Sequence, residues 1–306
     1  MTVVTLGVHI VDVLARPVES IPQGQDTLLL EQIRLTAAGA AAGTAVDLAK
    51  LGVPVASVGA AGDDELGDFL LMVMERHGVD VTGIVRKPGE QTAASILPIR
   101  PDGGRPSFHV PGANLALTPA DVDPGRLRAA EVVHLGGMDV TWALHDAAFL
   151  ALLDEVRAAG TVVTMDLLSN MPDLVRAARV FLPHVDYVLP NEEQALMMSG
   201  ETEAEKAAAA LLAEGPRGVL VTLGGEGSLV ATATATATET ARLPARDVAV
   251  VDTTGCGDAY CAGFIAGLVA GRGVLDAARL GTEVAARVAG GLGSDAGLDG
   301  LDVTRL

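Results

Sequence analysis

The stretch Val251-Asp252-Thr253-Thr254-Gly255-Cys256-Gly257-Asp258-Ala259-Tyr260-Cys261-Ala262-Gly263-Phe264 holds the residue types and spacing best suited to chemistry. An apolar run, AVAV at 248–251, reads as a short strand that leads into Asp-Thr-Thr, turns through Gly255 and Gly257, and opens a helical pattern with Asp258 in its first turn. Glycines leave backbone N–H groups unhindered, and a helix N-terminus carries roughly half a positive charge, so such a turn suits an anion such as a transferring phosphoryl group. A carboxylate in that first turn is favoured in its ionised form and could accept a proton from an attacking hydroxyl. Phosphoryl transfer asks little else of a protein than positioning and charge neutralisation. On this stretch alone a blander reading stands beside it, in which Asp258 is only a favourable helix-start residue behind a glycine turn.

Other routes to a nucleotide or a nucleophile are closed. A P-loop needs GxxxxGK[ST], but Lys50, Lys87 and Lys206 are followed by Leu, Pro and Ala. The nearest dinucleotide-like pattern, Gly291-Leu292-Gly293-Ser294-Asp295-Ala296, follows a helical segment and lacks a strand-to-helix setting. No GxSxG elbow occurs. Cys256 and Cys261 are not spaced as CxxC and the histidines never form HExxH, so zinc chemistry has no support in the sequence.

The elements that must hold the turn follow from hydrophobic patterning. Apolar runs at 55–59, 132–137, 161–166, 186–190 and 218–225 alternate with helical patterns at 65–77, 143–159, 172–180 and 192–199, and two more helices are expected over 257–272 and 274–290. Uncharged strands between amphipathic helices imply a mostly parallel sheet covered on both faces, an α/β fold. Residues 13–36 and 93–111 break that rhythm with short alternating segments and an Asp102-Gly103-Gly104 hairpin signal, and are expected to pair as a small β lid. The run ATATATATETA at 231–241 reads either as a strand with a threonine face or as a solvent-facing hairpin. A net charge of −18 spread along 306 residues, with no basic stripe, argues against a nucleic-acid partner. No apolar stretch approaches the roughly 18 uncharged residues of a membrane helix, and MTVVTLGVHIVDVLARP lacks the basic flank and cleavage site of a secretory signal, so a cytoplasmic protein with no membrane partner is expected.

DTTGCGDAYCAGF resembles the second signature of the PfkB family of carbohydrate kinases, within the ribokinase-like superfamily, whose usual form is DTTGAGDAFxAGF. Further segments are similar in the expected order: Gly7 to Asp12 as a first strand ending in a substrate-binding aspartate, Ala38 to Ala45 with Leu51-Gly52 as the first signature, and Gly59 to Gly67 as GxxGxDxxG. Pro111 to Asn114, Pro190 to Glu193 and Thr222 to Gly227 complete the series. The resemblance implies a three-layer α/β/α Rossmann-like core from 1–12, 37–92 and 112–306, with a β lid from 13–36 and 93–111 that often forms a homodimer interface.

It also implies a division of labour. Asp258 would be the catalytic base, with Gly255, Cys256 and Gly257 as an anion hole. Asp12, Gly39, Gly43 and Asn114 would face the sugar, and Asn191, Thr222, Gly224, Gly227 and Thr254 the ATP. Glu193 is the candidate for Mg2+, and the resemblance leaves room for a monovalent cation such as K+. Two departures stand out: Gly43 replaces the usual asparagine, and Gln194 stands where NxxE has glutamate. Cys256 replaces the usual alanine at a helix N-terminus, where a thiolate is favoured, although inert packing is the default expectation. The expected reaction is ATP-dependent phosphorylation of a hydroxymethyl group on a sugar or sugar-like molecule. A nucleoside kinase of the same family, or a catalytically weak sugar- and nucleotide-binding regulatory protein, are the alternatives. Few aromatic rings are present to stack a base, which favours a simple sugar; Phe108 and His109 could stack on a ring or pack the lid.

Overall fold

A computed structural model describes residues 3–101, 104–233 and 238–301. The chain opens with β1 (Val3–Gly7), β2 (Ile10–Arg16), β3 (Gln32–Ala38), α1 (Ala40–Lys50), β4 (Val55–Gly62), α2 (Glu65–Arg76), β5 (Asp80–Lys87), β6 (Ala94–Pro98) and β7 (Phe108–Val110). Single-turn segments and α3 (Pro124–Arg128) lead to β8 (Val132–Gly136), α4 (Ala147–Ala158), β9 (Val162–Met165), α5 (Pro172–Ala177), β10 (Tyr187–Val188), α6 (Glu192–Ser199), α7 (Ala204–Leu212) and β11 (Gly218–Thr222). The hairpin β12 (Ser228–Ala233) and β13 (Thr238–Leu243) precedes α8 (Cys256–Val269) and α9 (Val274–Ala289).

Among the described residues nine strands form one sheet in the order β13-β12-β11-β10-β9-β8-β1-β4-β5. It is parallel except where β12 pairs antiparallel with β11 and β13. Every residue of β1, β4 and β8 is buried, as strands covered on both faces require. One apolar cluster joins Leu6, Leu135 and Val163 to Leu153, Met198 and Leu211 of α4, α6 and α7. A second, on the opposite face, joins Val3 and Val55 to Val46, Leu70, Ile265 and Val284 of α1, α2, α8 and α9. These layers make the three-layer α/β/α core.

A separate four-stranded sheet has the order β3-β2-β6-β7. Its register opposes Val13 to Leu35 and Ile96, and Ile96 to Phe108, so these side chains share one face. Ile33, Leu35, Ile96, Phe108 and Val110 are exposed there, while Asp12, Leu14, Ser95 and Leu97 on the alternating positions are buried. Asp102 and Gly103 of the hairpin signal lie outside the described residues.

Two expectations need correcting, and one open alternative is decided. The first strand ends at Gly7 and not at Asp12, because the backbone swings out of the sheet at Gly7, with φ 142°, and Asp12 belongs to β2. AVAV at 248–251 is irregular: the Val251 N–H donates to Ala289 O at the end of α9, and Val248 and Val250 line a cleft. The alternating threonine run divides between β12 and β13, the hairpin reading, with 234–237 outside the described residues.

Helices α8 and α9 meet backbone to backbone. A Cβ on Gly263 would lie 2.8 Å from Gly281 Cα, and one on Gly267 would lie 2.6 Å from Ala277 Cα. At these two positions the helix that carries Asp258 is held directly against its neighbour's backbone.

Candidate active site

Gly255 caps α8 in the left-handed conformation, φ 76°, and a Cβ there would fall 2.4 Å from Ser294 Cβ, so only glycine fits. Buried Asp252 fixes the turn by accepting from the Thr254 N–H at 2.9 Å, the Thr254 hydroxyl at 2.7 Å and the Gly293 N–H at 3.1 Å. The first turn of a helix leaves its N–H groups without intrahelical partners. Here the Cys256 N–H donates to Thr253 O at 3.3 Å, which leaves Gly255, Gly257 and Asp258 as the amides available to an anion. Cys256 is not a thiolate in waiting: burial, with Asp252, Asp258 and Asp47 nearby, pushes its thiol up to about 12 despite the opposing charge of Arg105.

Asp258 is half-buried in the first turn of α8. Burial and then the charge of Asp12 push its carboxyl up to about 7, while Arg105 opposes them. Asp12, on the inner face of β2, is raised to about 6 by burial and by Asp252, against a hydrogen bond with Ser95 and the charge of Arg105. The lid strand and the helix N-terminus thus bring two carboxyl groups within electrostatic reach of each other and of one arginine.

The α1 helix packs behind the base. A Cβ on Gly43 would lie 2.5 Å from Asp258 Oδ2, so the missing side chain is the room the carboxylate occupies. One turn further, Asp47 is fully buried with neither carboxylate oxygen hydrogen-bonded. Burial and the charges of Asp258 and Asp295 push it well above the ordinary carboxylate range, against the opposing charge of Lys50.

On the other side of the turn lies a cleft of about 480 Å³. Gly224, Gly225 and Gly227 border it beside Thr222, Val248, Val250 and Ala286 offer apolar wall, and Thr253, Cys256 and Gly257 close its end. A volume of that size, with one apolar flank and free helix-end amides at its end, suits a nucleoside triphosphate.

Residues 2–299 match the family model described as pfkB family carbohydrate kinase. The chain belongs to the pfkB family of carbohydrate kinases. Over 262 residues it is 30% identical to a fructokinase of Klebsiella pneumoniae, covering 83% of this chain and 82% of that one. It is 27% identical to the 2-dehydro-3-deoxygluconokinase of Bacillus subtilis (strain 168), covering 81% and 79%. The solved structure of adenosine kinase from Sinorhizobium meliloti superimposes with a TM-score of 0.82 at 27% identity, covering 99% and 97%.

Several residues the PfkB resemblance had assigned to ligands also hold the scaffold in place. Asn114 clamps the turn between β1 and β2: its Oδ1 accepts from the His9 N–H at 3.0 Å and its Nδ2 donates to His9 O at 2.9 Å. It aims β2, and with it Asp12. The Thr254 hydroxyl is turned to Asp252, and Thr253, which the sequence reading passed over, lines the cleft instead. Gly39 is the N-cap of α1. Asn191 caps α6, and Gln194 returns the capping box at 2.9 Å. Gln194 Nε2 donates to Ser169 O at 3.1 Å, a bond a carboxylate could not make, which accounts for glutamine here in place of the family's glutamate. Glu193, exposed on the same turn, accepts from Asn170 Nδ2 at 2.8 Å.

Arg105 and Asp47 were also missed. Arg105 sits in a Pro- and Gly-rich turn with no motif of its own. Asp47 had a signal, an acid within the apolar run Ala45-Val46-Asp47-Leu48-Ala49.

Proposed function

We propose that this PfkB-family enzyme transfers the γ-phosphoryl group of ATP to a hydroxymethyl group of a sugar or sugar-like molecule, with Asp258 as the base. The observation that carries the reading is the Asp258 carboxyl, raised to about 7, beside the unpartnered amides of Gly255 and Gly257 where the α8 N-terminus meets a nucleotide-sized cleft. Asp12 receives the substrate hydroxyls from the lid side. Ionised Asp258 takes the hydroxyl proton as that oxygen attacks the γ-phosphorus. The bond to the β-phosphate oxygen breaks, ADP leaves, and the amides of the α8 N-terminus hold the phosphoryl oxygens meanwhile. Arg105 adds positive charge from the lid, which matters in a chain of net charge −18 with no P-loop lysine.

The donor set suits a magnesium ion held mainly by phosphates and water, since Gln194 is neutral and engaged and Glu193 is an exposed carboxylate next to the Asn191 cap, itself bridged to Thr222. Glu193 would hold the ion, which would neutralise charge on the phosphates. The exposed apolar face of the lid fits a second copy of the chain, making the enzyme a homodimer, and ATP as donor fits a cytoplasmic place of action. The test is ADP release over a panel of hexoses, pentoses, 2-keto-3-deoxy acids and nucleosides, with Asp258→Asn beside the wild type. Turnover on one class with at least a 10³-fold loss in Asp258→Asn is expected; full activity in that variant would refute the base.

A further inference from the structure

His134, Asp166 and Cys261 are far apart in sequence and do not touch the reaction described above, yet the fold brings them together. His134 lies on β8, Asp166 directly follows β9, and Cys261 lies on α8 one turn beyond Asp258. Their donor atoms all fall within 4.8 Å of one another. His134 Nε2 is 3.8 Å from Asp166 Oδ1, and Cys261 Sγ is 3.8 Å from Asp166 Oδ2. All three residues are buried, His134 completely.

The His134 ring is fixed from behind by a 2.9 Å hydrogen bond between Nδ1 and the Thr164 hydroxyl. Its Nε2 faces Asp166 with no hydrogen-bond partner, an uncompensated polar atom in the core. At 3.8 Å the carboxylate is too far to bond it directly. That spacing is close to the roughly 3.5 Å that separates two donors on one tetrahedral zinc(II), given ligand bonds of about 2.0 to 2.3 Å. An outer shell is also present, because Asp166 Oδ1 accepts the Gly137 N–H at 3.0 Å and Thr164 supports the imidazole.

We propose that His134, Asp166 and Cys261 form a binding site for a single zinc-type divalent cation, separate from the magnesium that accompanies ATP. Loading forms one bond each to Nε2, a carboxylate oxygen and Sγ, and leaves a fourth position for water. The Cys261 thiol and the Asp166 carboxyl release their protons to solvent, so the +2 ion and two anionic ligands sum to zero charge, the state a buried site tolerates best. Burial disfavours charge on all three groups, pushing the Asp166 carboxyl and the Cys261 thiol well up and lowering His134 to about 3. Zinc signals in a sequence are local spacings, whereas these donors come from a strand, the residue after another strand, and a helix on different parts of the chain. An ion there pins the helix that bears Asp258 to the floor of the sheet.

The proposal does not depend on Asp258 being the base. Chelator-treated protein, free of nucleotide and magnesium, is titrated with Co2+, and the near-ultraviolet thiolate-to-cobalt absorption is followed. One equivalent is expected to bind with that band, Zn2+ to displace it, Cys261→Ala to abolish it, and His134→Gln to weaken binding at least tenfold, while Cys256→Ala retains the band. Absence of the band in the wild type, or its persistence in Cys261→Ala, overturns the site. Should Cys261→Ala not fold, zinc-edge X-ray absorption of the zinc-loaded wild-type protein decides: one sulfur and one imidazole in the coordination shell support the site, and a shell of oxygen and nitrogen alone overturns it.

Discussion

Replacing Gly43 by alanine tests whether the carboxylate of Asp258 acts from the place the structure gives it. The new Cβ would stand 2.5 Å from Asp258 Oδ2, where ordinary contact begins at 3.4 Å, so the carboxylate must retreat by about 0.9 Å. Residues 40–48 of α1 are buried and packed, so the backbone has little room to yield in its place. A displacement on the order of 1 Å at a reacting group costs on the order of 10²-fold in rate, or about 2.7 kcal/mol of transition-state stabilisation. The nucleotide cleft lies on the far side of the α8 turn and does not include Gly43. Gly43→Ala should therefore lower kcat about 10²-fold and leave the KM for ATP within twofold. Steady-state ADP release, with thermal unfolding followed by circular dichroism as the control on folding, makes the comparison. A folded Gly43→Ala enzyme with wild-type kcat would show that the carboxylate does not act from this notch.

Other outcomes follow from the same geometry. A base must be ionised, and with Asp258 titrating at about 7 its ionised fraction grows from about 9% at pH 6 to about 91% at pH 8, so kcat/KM should rise about tenfold across that interval. Because Asp12 raises and Arg105 lowers that midpoint, Asp12→Asn should move the rise to lower pH and Arg105→Ala to higher pH; a flat profile counts against the base. Gln194→Ala removes half of the α6 capping box and the donor to Ser169 O, and should cost about 1–2 kcal/mol in urea unfolding, with no loss at all contradicting the account of that glutamine. Ile96→Asp puts a charge in the middle of the exposed lid face, and sedimentation should show a dimer become a monomer; a wild-type chain that is monomeric at micromolar concentration sinks the lid interface.

Much of the core was legible because its signal is local. Buried strands such as Val55–Gly62 and Val132–Gly136 are short, mostly apolar runs without acid or lysine, and Glu65–Arg76 carries both its period and its Asp64 cap in sequence. The break after Gly7 was not legible, since Val8, Ile10 and Val11 continue the apolar run; what turns the chain is the remote clamp of Asn114 on His9. AVAV misled for a related reason, its valines serving as cleft wall while its backbone pairs with no strand among the described residues. In the candidate site, the Gly255 to Asp258 turn could be read because its parts are consecutive. The room at Gly43 could not, because absence of a side chain reads as a lost contact until the carboxylate that fills the space is seen.

The glycine seam between α8 and α9 bears on how such a protein can change over generations. With Gly263 against Gly281, and Gly267 against Ala277, any enlarged residue meets backbone, which has no rotamer to yield. Enlarging substitutions along this seam are therefore costly. The lid sheet has the opposite character, with short strands, an exposed outer face and an inner face bearing Asp12 and Ser95, so substitutions there can accumulate one at a time. New acceptor preferences should therefore arise more readily by exchange of lid residues than by change along the α8–α9 seam.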